Sequence, residues 1–376
     1  MFLILTDEQQ MLQDSVKGLL GNLASAPDAD NDFSTSCWVQ FAAMGLLAMP
    51  FAEADGGLGS SAADMMIVMQ TLGKYIISVP FLASAILGGH LVGSLGSPDQ
   101  KATLLPDVMA GTATLAFAHS EPGAQFERAQ VTVRAERGEA GYRVSGLKSL
   151  VLNGAHASHF VVSARSEGDP ADTSGIVLLL VPSSLPGVTV TPYAGTDATT
   201  MADIIFSDVI VPADALMSAG DAALEAIETA LDCATVAAIA EAVGAMEELL
   251  ALTVDYIKVR KQFGVPVGSF QSVQHRAVDL FLEVEQAKSM AIYAVAVLTG
   301  KAADRKLAVA AAKAHANSAA RLVGEGAVQL HGAIGMTMES KAGRLFRRLT
   351  TFQLSFGDRD YCLRILAAAD TSILEA

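Results

Sequence analysis

The spacing of apolar residues along the chain changes twice, and the first segment has the period of helices. Thr6 and Gln9 form a capping-box pattern, and apolar residues such as Val16 and Leu20 then fall on one helical face. Short loops rich in glycine separate such stretches. We therefore predict an N-terminal helical domain over residues 1–112.

The second segment has the pattern of short strands. Runs rich in β-branched and aromatic residues alternate with turn residues, and no helix of useful length interrupts them. A Rossmann alternation of strand and helix is therefore not available, and we predict a β domain over residues 113–215. Its predicted strands are 131–135, 142–152, 159–164, 175–181 and 188–192.

The third segment, residues 216–376, is rich in alanine and returns to helical spacing. Ala277, Phe281 and Val284 illustrate the 3,4 spacing, and turn signals are few. Four or five long helices packed as a bundle fit this length. The predicted class is α+β, with the domain order helical, β, helical.

One uncharged stretch, residues 75–98, is long enough to raise the question of a membrane span. It contains Pro80, His90 and several glycines, which weaken a spanning helix, so we predict a buried helix or helix pair instead. Directly after it, Ser97 and Pro98 have the pattern of a new helix start.

Composition narrows the partners of the protein. Of 376 residues, 51% are hydrophobic and 17% are charged, and the net charge is −15, which disfavours general affinity for nucleic acid or anionic membranes. The three cysteines, Cys37, Cys233 and Cys362, lie far apart and suggest neither a disulfide framework nor a metal site. The first residues have no basic region typical of a secretory signal, so we expect a cytoplasmic protein.

A cationic and aromatic cluster lies at a predicted helix junction. The run from Arg260 to Gly264 is expected to end one long helix, and Phe270 with Gln271 to open the next. Guanidinium groups pair with phosphates, and amides satisfy ring nitrogens, so the cluster can hold a nucleotide. The alternative interpretation is structural, because a cation at the C-terminal end of a helix interacts favourably with the helix dipole.

Three other patterns resemble functional sites. Gln329, followed by glycines at 332 and 335, indicates either a capped helix end or a cofactor-binding site. His119, Ser120 and Glu121 are adjacent, and neighbours in a strand face opposite ways, so they do not form a catalytic triad. The pair His156 and His159 lacks a third metal ligand nearby and is interpreted as structural.

Six motifs follow one another along nearly the whole chain: LTDEQQMLQDSV, GLLAMPFAEADGGLGSS, GSPDQKATLLPDVMAG, HSEPGA, VRKQFGVPVGSFQSVQH and AVQLHGAIGMTMES. In this order and at this spacing, they strongly resemble the acyl-CoA dehydrogenase family. The resemblance implies a flavoenzyme in which a glutamate removes the α proton of an acyl-CoA thioester and the β hydrogen leaves as hydride to flavin N5. It also implies a flavin site to which a neighbouring subunit contributes residues.

The residues that a subunit of this family contributes to its neighbour's FAD match here. The resemblance assigns Arg260 to the pyrophosphate, with further residues beside it and a second group near the adenine end. We call these eight residues the lent set. They are Arg260, Gln262, Phe263, Phe270, Gln271, Gln329, Gly332 and Ala333.

The residues that a subunit uses for its own flavin and substrate mostly do not match. The family usually has Trp-x-Thr on a strand that covers the flavin ring, and this chain has Leu150-Val151-Leu152. Gln125 and Phe126 stand where a small glycine and a serine line the flavin and acyl-CoA. Arg347-Arg348 replaces the family's usual Arg-Asp.

Both family positions for the catalytic base are also changed. Phe356 stands where many members have the glutamate, and a phenyl ring accepts no proton. Other members take the base from the long helix before the arginine motif, and Ala234 stands there. A shift of the helix start would be needed to bring Glu225, Glu228 or Asp232 into that role.

The leading hypothesis is a catalytically incomplete subunit that completes the FAD site of a related partner in a heterotetramer. By analogy, the substrate is an acyl-CoA such as a steroid side-chain CoA ester, and an electron-transfer flavoprotein or similar protein accepts the electrons. The alternative is a self-sufficient homotetrameric dehydrogenase with a relocated carboxylate. A scaffolding relative without flavin is disfavoured by Arg260 and Gln329, and a flavin monooxygenase would need an intact flavin pocket of its own.

Overall fold

The computed structural model describes residues 5–24, 35–337 and 339–374, which form two compact units. The first, called the helical unit, takes described residues from the first 29 positions, from Ala62–Ile77 and from Thr235 onward. The second, called the sheet unit, takes described residues from positions 30–61 and from Ser78–Ala234. The domain boundaries near residues 112 and 215 stay a prediction.

Helices dominate the first hundred residues, and both predicted helix starts are confirmed. Gln9 N donates to Thr6 Oγ1 at 3.2 Å, and Thr6 N donates to Gln9 Oε1 at 3.3 Å. Ser97 and Gln100 form the same reciprocal pair ahead of Pro98. The helices are α1 (Asp7–Ala24), α2 (Thr35–Ala43), α3 (Ala62–Tyr75), α4 (Gly89–Leu95) and α5 (Pro98–Met109).

The uncharged stretch near residue 85 is buried, as its composition predicts. A π-helical segment, Phe81–Gly88, leads into α4, and Ala85, Leu91 and Val92 are fully buried in the sheet unit. No helix in the described part of the chain is long and apolar enough to span a bilayer.

The β segment forms one sheet in the order β6-β7-β3-β2-β4-β5-β8, with β1 pairing parallel to β4. Alternate residues of its strands bury a core that includes Val144, Phe160, Leu179 and Phe206. The strands are β1 (Leu115–Ala118), β2 (Arg134–Gly138), β3 (Gly141–Leu152), β4 (His159–Arg165), β5 (Ile176–Pro182), β6 (Val188–Ala194), β7 (Thr200–Val211) and β8 (Leu216–Ala219).

The sequence pattern located β3 to β6 well and missed three strands. β2 begins at Arg134, whereas its predicted run covered residues 131–135. β1 and β8 have four residues each, which is too short for alternation to be read. β7 contains Asp203 and Asp208 and was hidden by these polar residues, although it pairs with both β3 and β6.

The C-terminal segment is helical, and its described part contains five helices, which agrees with the four or five that the spacing predicts. α3 packs closely against the first of them in the helical unit, because Gly73 and Gly244 leave room for backbone contact. A Cβ added to Gly244 would lie 1.8 Å from Gln70 O. The helices are α6 (Asp221–Val259), α7 (Gln271–Val297), α8 (Ala302–His331), α9 (Lys341–Gln353) and α10 (Arg359–Leu374).

These observations confirm the predicted α+β class and the order helical, β, helical. The physical basis is the change of apolar period, from about 3.6 to 2 and back, which selects the element type in each segment.

Candidate functional site

The arginine motif forms a β-hairpin after α6. α6 ends at Val259, so the prediction that residues 260–264 form the end of this helix was wrong. The hairpin strands β9 (Lys261–Gln262) and β10 (Val265–Pro266) pair antiparallel. The two loop residues, Phe263 and Gly264, have φ values of 54° and 82°, and a two-residue hairpin loop of this twist requires positive φ at both positions.

The hairpin presents its side chains to solvent. Phe263 is 90% exposed, and its ring meets Phe270 edge-on at a centroid distance of 6.2 Å. Arg260 and Gln262 are exposed as well. Phe270 immediately precedes α7, and Gln271 is its first residue, as the sequence predicts. An exposed cation, amide and aromatic pair therefore share one short segment of surface.

The second group of predicted residues lies at the end of α8. The helix stops at His331, and Gly332 adopts φ 68° and ψ −148°. Gln329, Gly332 and Ala333 are exposed, and a Cβ added to Gly332 meets no atom within 4 Å. The glycine is therefore required by backbone conformation, and this chain leaves the space above it open.

An open pocket of about 370 Å³ in the helical unit is lined by sequence neighbours of both groups. Val259, next to Arg260, lines one side, and His331 and Ile334, which flank Gly332 and Ala333, line the other. The rings of Tyr256 and His331 stack at 4.7 Å inside it. Arg260 from the first group and Gly332 with Ala333 from the second are therefore adjacent in sequence to residues of the same pocket. The remaining lining residues are Leu252, Asp255, Ser340, Lys341 and Ala342.

The chemistry of this surface fits a dinucleotide. A guanidinium pairs with a pyrophosphate, exposed amides satisfy ring nitrogens, and aromatic rings pack against flat groups. Arg260 and Lys261 are two consecutive exposed cations in a chain whose net charge is −15. An anionic ligand at this surface therefore depends on these local charges.

In the sheet unit, the segment Leu150-Val151-Leu152, which stands where the family usually has Trp-x-Thr, lies at a bulge in β3. The β3–β7 register shifts between Lys148 and Val151, and Leu150 has φ 55° with 57% exposure. Leu150 N donates to Tyr193 Oη at 3.0 Å, and Tyr193 Oη donates to Asp203 Oδ1 at 2.9 Å. Burial, followed by the hydrogen bond to Asp203, raises the pKa of Tyr193 above its usual range. The side chains of Leu150, Val151 and Leu152 are all aliphatic, so this segment offers no hydroxyl at the position of the family's threonine.

The carboxylate of Glu121 is buried, and both of its oxygens have hydrogen-bond partners. Lys148 Nζ lies 2.6 Å from Glu121 Oε1, and Thr132 N donates to Oε2 at 2.6 Å. Val133 N donates to Oε1, and the Thr132 hydroxyl also contacts Oε2. Burial raises the pKa of Glu121, but the Lys148 charge and these hydrogen bonds outweigh burial and lower the pKa overall. Glu121 therefore organises this loop rather than acting as a base.

His119 is held in a neutral state in the same region. Its Nδ1 lies 2.8 Å from Ser163 Oγ, and its ring stacks on Phe117 at 5.0 Å. Burial, followed by the charges of Lys148 and Arg128, lowers the pKa of His119 to about 3. His119 thus pairs with Ser163, and Glu121 pairs with Lys148, so the structure confirms that these neighbours form no triad.

The two family base positions carry no carboxylate in the fold. Phe356 is half-buried with φ 56° in a turn after α9, and Ala234 is fully buried in α6. Of the three alternative carboxylates, Glu225 is exposed and Glu228 is half-buried. Asp232 is 2% exposed and forms an ion pair with Arg128 at 2.8 Å.

Sequence reasoning missed a buried lysine beneath the turn that carries residue 356. Lys313 Nζ lies 2.5 Å from Asn317 Oδ1, and Asn317 Nδ2 donates to Gly357 O at 3.2 Å. Burial lowers the pKa of Lys313 to about 7, and the nearby Cys362 and Asp358 oppose this shift. A lysine and an asparagine four residues apart inside an alanine-rich helix were the available signal.

Comparison with known proteins identifies the family. The acyl-CoA dehydrogenase N-terminal, middle and C-terminal domain models match residues 6–112, 116–209 and 224–370. The chain belongs to the acyl-CoA dehydrogenase family, whose members are FAD-dependent oxidoreductases. This agrees with the resemblance that the six motifs indicated.

Individual relatives are similar over the full length. The probable acyl-CoA dehydrogenase YngJ of Bacillus subtilis is 28% identical over 96% of this chain and 98% of its own. The ChsE4–ChsE5 complex of Mycobacterium tuberculosis contains a chain with a TM-score of 0.86 at 24% identity, covering 98% of each chain. The FAD complex of PigA has a TM-score of 0.90 at 24% identity, covering 98% of this chain and 99% of its own.

Proposed function

We propose that this chain is a subunit that completes the FAD site of a catalytic partner and lacks a catalytic base of its own. The observation that carries the proposal is an asymmetry. The lent set lies exposed on the helical unit, and sequence neighbours of Arg260 and Gly332 line one open pocket, while Phe356 and Ala234 stand where the resemblance places the base. Random loss of residues would not keep the lent set and remove the residues that the chain would need for its own flavin and substrate.

The reaction of the complex is the α,β-dehydrogenation of an acyl-CoA thioester. A carboxylate base removes the α proton, the β hydrogen leaves with its electron pair, and a carbon–carbon double bond forms. FAD supplies the two-electron acceptor when it is bound. This chain cannot take up the α proton at position 356, because no environment gives a phenyl ring a proton acceptor.

Each residue of the lent set has a role that its chemistry supports. Arg260 neutralises the pyrophosphate, and Gln262 and Phe263 lie beside it on the hairpin. Phe270 and Gln271 continue the same surface at the start of α7. At the end of α8, Gln329 offers amide groups to the adenine end, and the open space above Gly332 and Ala333 admits the nucleotide.

The partner that we propose is a related acyl-CoA dehydrogenase subunit in a two-plus-two heterotetramer. The ChsE4–ChsE5 complex is named for two different chains, and this chain has a similar fold. That similarity in fold supports the proposed assembly. A similar fold, with a TM-score of 0.85, occurs in the Tcur3481–Tcur3483 steroid enzyme. We extend the proposal to a steroid side-chain CoA ester as substrate, an electron-transfer flavoprotein as acceptor and the cytoplasm as location.

Co-expression with an adjacent, related dehydrogenase subunit tests the proposal. The purified complex is expected to contain one FAD per two chains and to reduce an electron acceptor with an acyl-CoA. The chain purified alone is expected to hold little flavin and to show no turnover. A yellow homotetramer with one FAD per chain and dehydrogenase activity would instead establish the self-sufficient enzyme with a relocated carboxylate.

A further inference from the structure

The sheet unit contains a buried ion pair that none of these roles uses. Arg128 Nη1 lies 2.8 Å from Asp232 Oδ1, and the two side chains are 11% and 2% exposed. The same Nη1 donates a hydrogen bond of 3.1 Å to the carbonyl oxygen of Glu228. Glu228 and Asp232 are four residues apart on α6, so the guanidinium lies along one face of that helix.

The ion pair joins two elements within the sheet unit. Arg128 belongs to the loop between β1 and β2, and Asp232 belongs to the first part of α6. The loop is held a second time by the Glu121–Lys148 pair. One ion pair therefore holds the loop to α6 and the other holds it to β3, and moving the loop away from α6 would break the Arg128–Asp232 pair.

The same loop and helix carry several of the positions at which this chain departs from its family. Gln125 and Phe126 are bulky where the resemblance implies small residues that line the acyl-CoA, and Arg128 follows two positions later. On α6, Asp232 lies two positions before Ala234. An apolar acyl chain at the position that the resemblance implies would either meet the ion pair or separate its two charges.

Resting on the proposed function, we propose that the Arg128–Asp232 ion pair is a latch that closes this chain's own acyl-CoA site. The latch holds the loop after β1 against α6, so that an acyl-CoA thioester binds only in the partner subunit. The chain then contributes to one FAD site per pair without competing for the substrate.

Replacing both charges with apolar groups of similar length tests the latch. The variant combines Arg128→Met with Asp232→Leu, and such a replacement of a buried pair is commonly tolerated or stabilising. Octanoyl-CoA is titrated into the full chain by calorimetry. We expect the double variant to bind it at least tenfold more tightly than wild type, and free CoA to show a smaller gain.

A matched control uses the exposed ion pair Arg321–Glu325, whose side chains are 68% and 56% exposed. The combination of Arg321→Met and Glu325→Leu removes the same charges and is expected to leave octanoyl-CoA affinity unchanged. An equal gain in this control would show a general charge effect and would overturn the latch.

Two results contradict the latch directly. One is a folded Arg128→Met, Asp232→Leu variant whose affinity for octanoyl-CoA equals that of wild type. The other needs no variant: a wild-type chain that binds octanoyl-CoA with micromolar affinity has an open site. Failure of the proposed function has a different readout, because it requires the wild-type chain alone to hold stoichiometric FAD and to turn over a thioester.

Discussion

The Nζ atom of Lys313 on α8 lies 2.7 Å from the carbonyl oxygen of Phe352, at the end of α9. One helical turn further along α8, Asn317 donates to Gly357 O. Two side chains of a single helix therefore hold both ends of the turn that carries Phe356. The turn is therefore tied to α8 on both sides of position 356, whose phenyl ring accepts no proton.

The first prediction concerns that side chain. Phe356→Leu removes a ring that performs no chemistry in our proposal, so the acyl-CoA dehydrogenase activity of the co-purified complex is expected to stay within about twofold, or ~0.4 kcal/mol. The measurement is kcat and KM with an artificial electron acceptor. Loss of turnover in a complex that still folds and assembles would show that position 356 takes part in catalysis.

The second prediction concerns the pyrophosphate. Arg260→Ala removes a charge-assisted hydrogen bond worth about 1.5–3 kcal/mol, so FAD affinity of the complex should fall roughly tenfold to a hundredfold. Flavin absorbance per chain after gel filtration measures this loss. Arg321→Ala, at another exposed arginine of the helical unit, serves as the control and should retain FAD. Equal flavin content in both variants would show that Arg260 does not contribute to FAD binding.

The third prediction concerns pH. Burial lowers the pKa of Lys313 from 10.5 to about 7, so the unfolded chain binds more protons than the folded one between these values. The free energy of unfolding should therefore rise as pH increases from about 7 towards 10.5, with a contribution of at most ~1.4 kcal/mol per pH unit. Urea unfolding of wild type and Lys313→Met across this range isolates the contribution. A difference between them that does not change with pH would contradict it.

The fourth prediction concerns the buried pair Glu121–Lys148. Lys148→Met leaves a carboxylate buried without its ion-pair partner, and the free energy of unfolding should fall by about 3–5 kcal/mol. The exposed pair Lys258–Asp255, with side chains 66% and 78% exposed, offers a matched control. Lys258→Met should cost less than about 1 kcal/mol. Similar urea midpoints for the two variants would mean that the buried pair adds little stability.

The fifth prediction compares two glycines in helices. Gly244→Ala places a Cβ 1.8 Å from Gln70 O, a backbone atom of α3, and should destabilise the protein by about 1–3 kcal/mol or more. Gly18 lies in α1 and is exposed, with no atom within 4 Å of an added Cβ. Gly18→Ala should stabilise by roughly 0.5–1 kcal/mol, because glycine is poor in a helix interior. Thermal unfolding of both variants decides whether close backbone packing or helix propensity dominates at each position.

The sequence by itself determined the fold class, because the apolar period of a segment selects helix or strand locally. Caps at Thr6 and Ser97 depend on residues three positions apart and were therefore visible without a structure. The sequence also showed that the side chain of Phe356 has no proton acceptor, since side-chain chemistry does not depend on packing. The assignment of the lent set also rests on short motifs and stays a prediction.

Only the tertiary structure decided which distant residues meet. Lys148 and Glu121 are 27 positions apart, and Arg128 and Asp232 are 104 apart, as their numbers show. Nothing in local spacing encodes such pairs, because they form when the sheet and α6 pack and exclude water. The pKa shift of Lys313 has the same origin, since burial rather than the identity of its neighbours in sequence lowers that pKa.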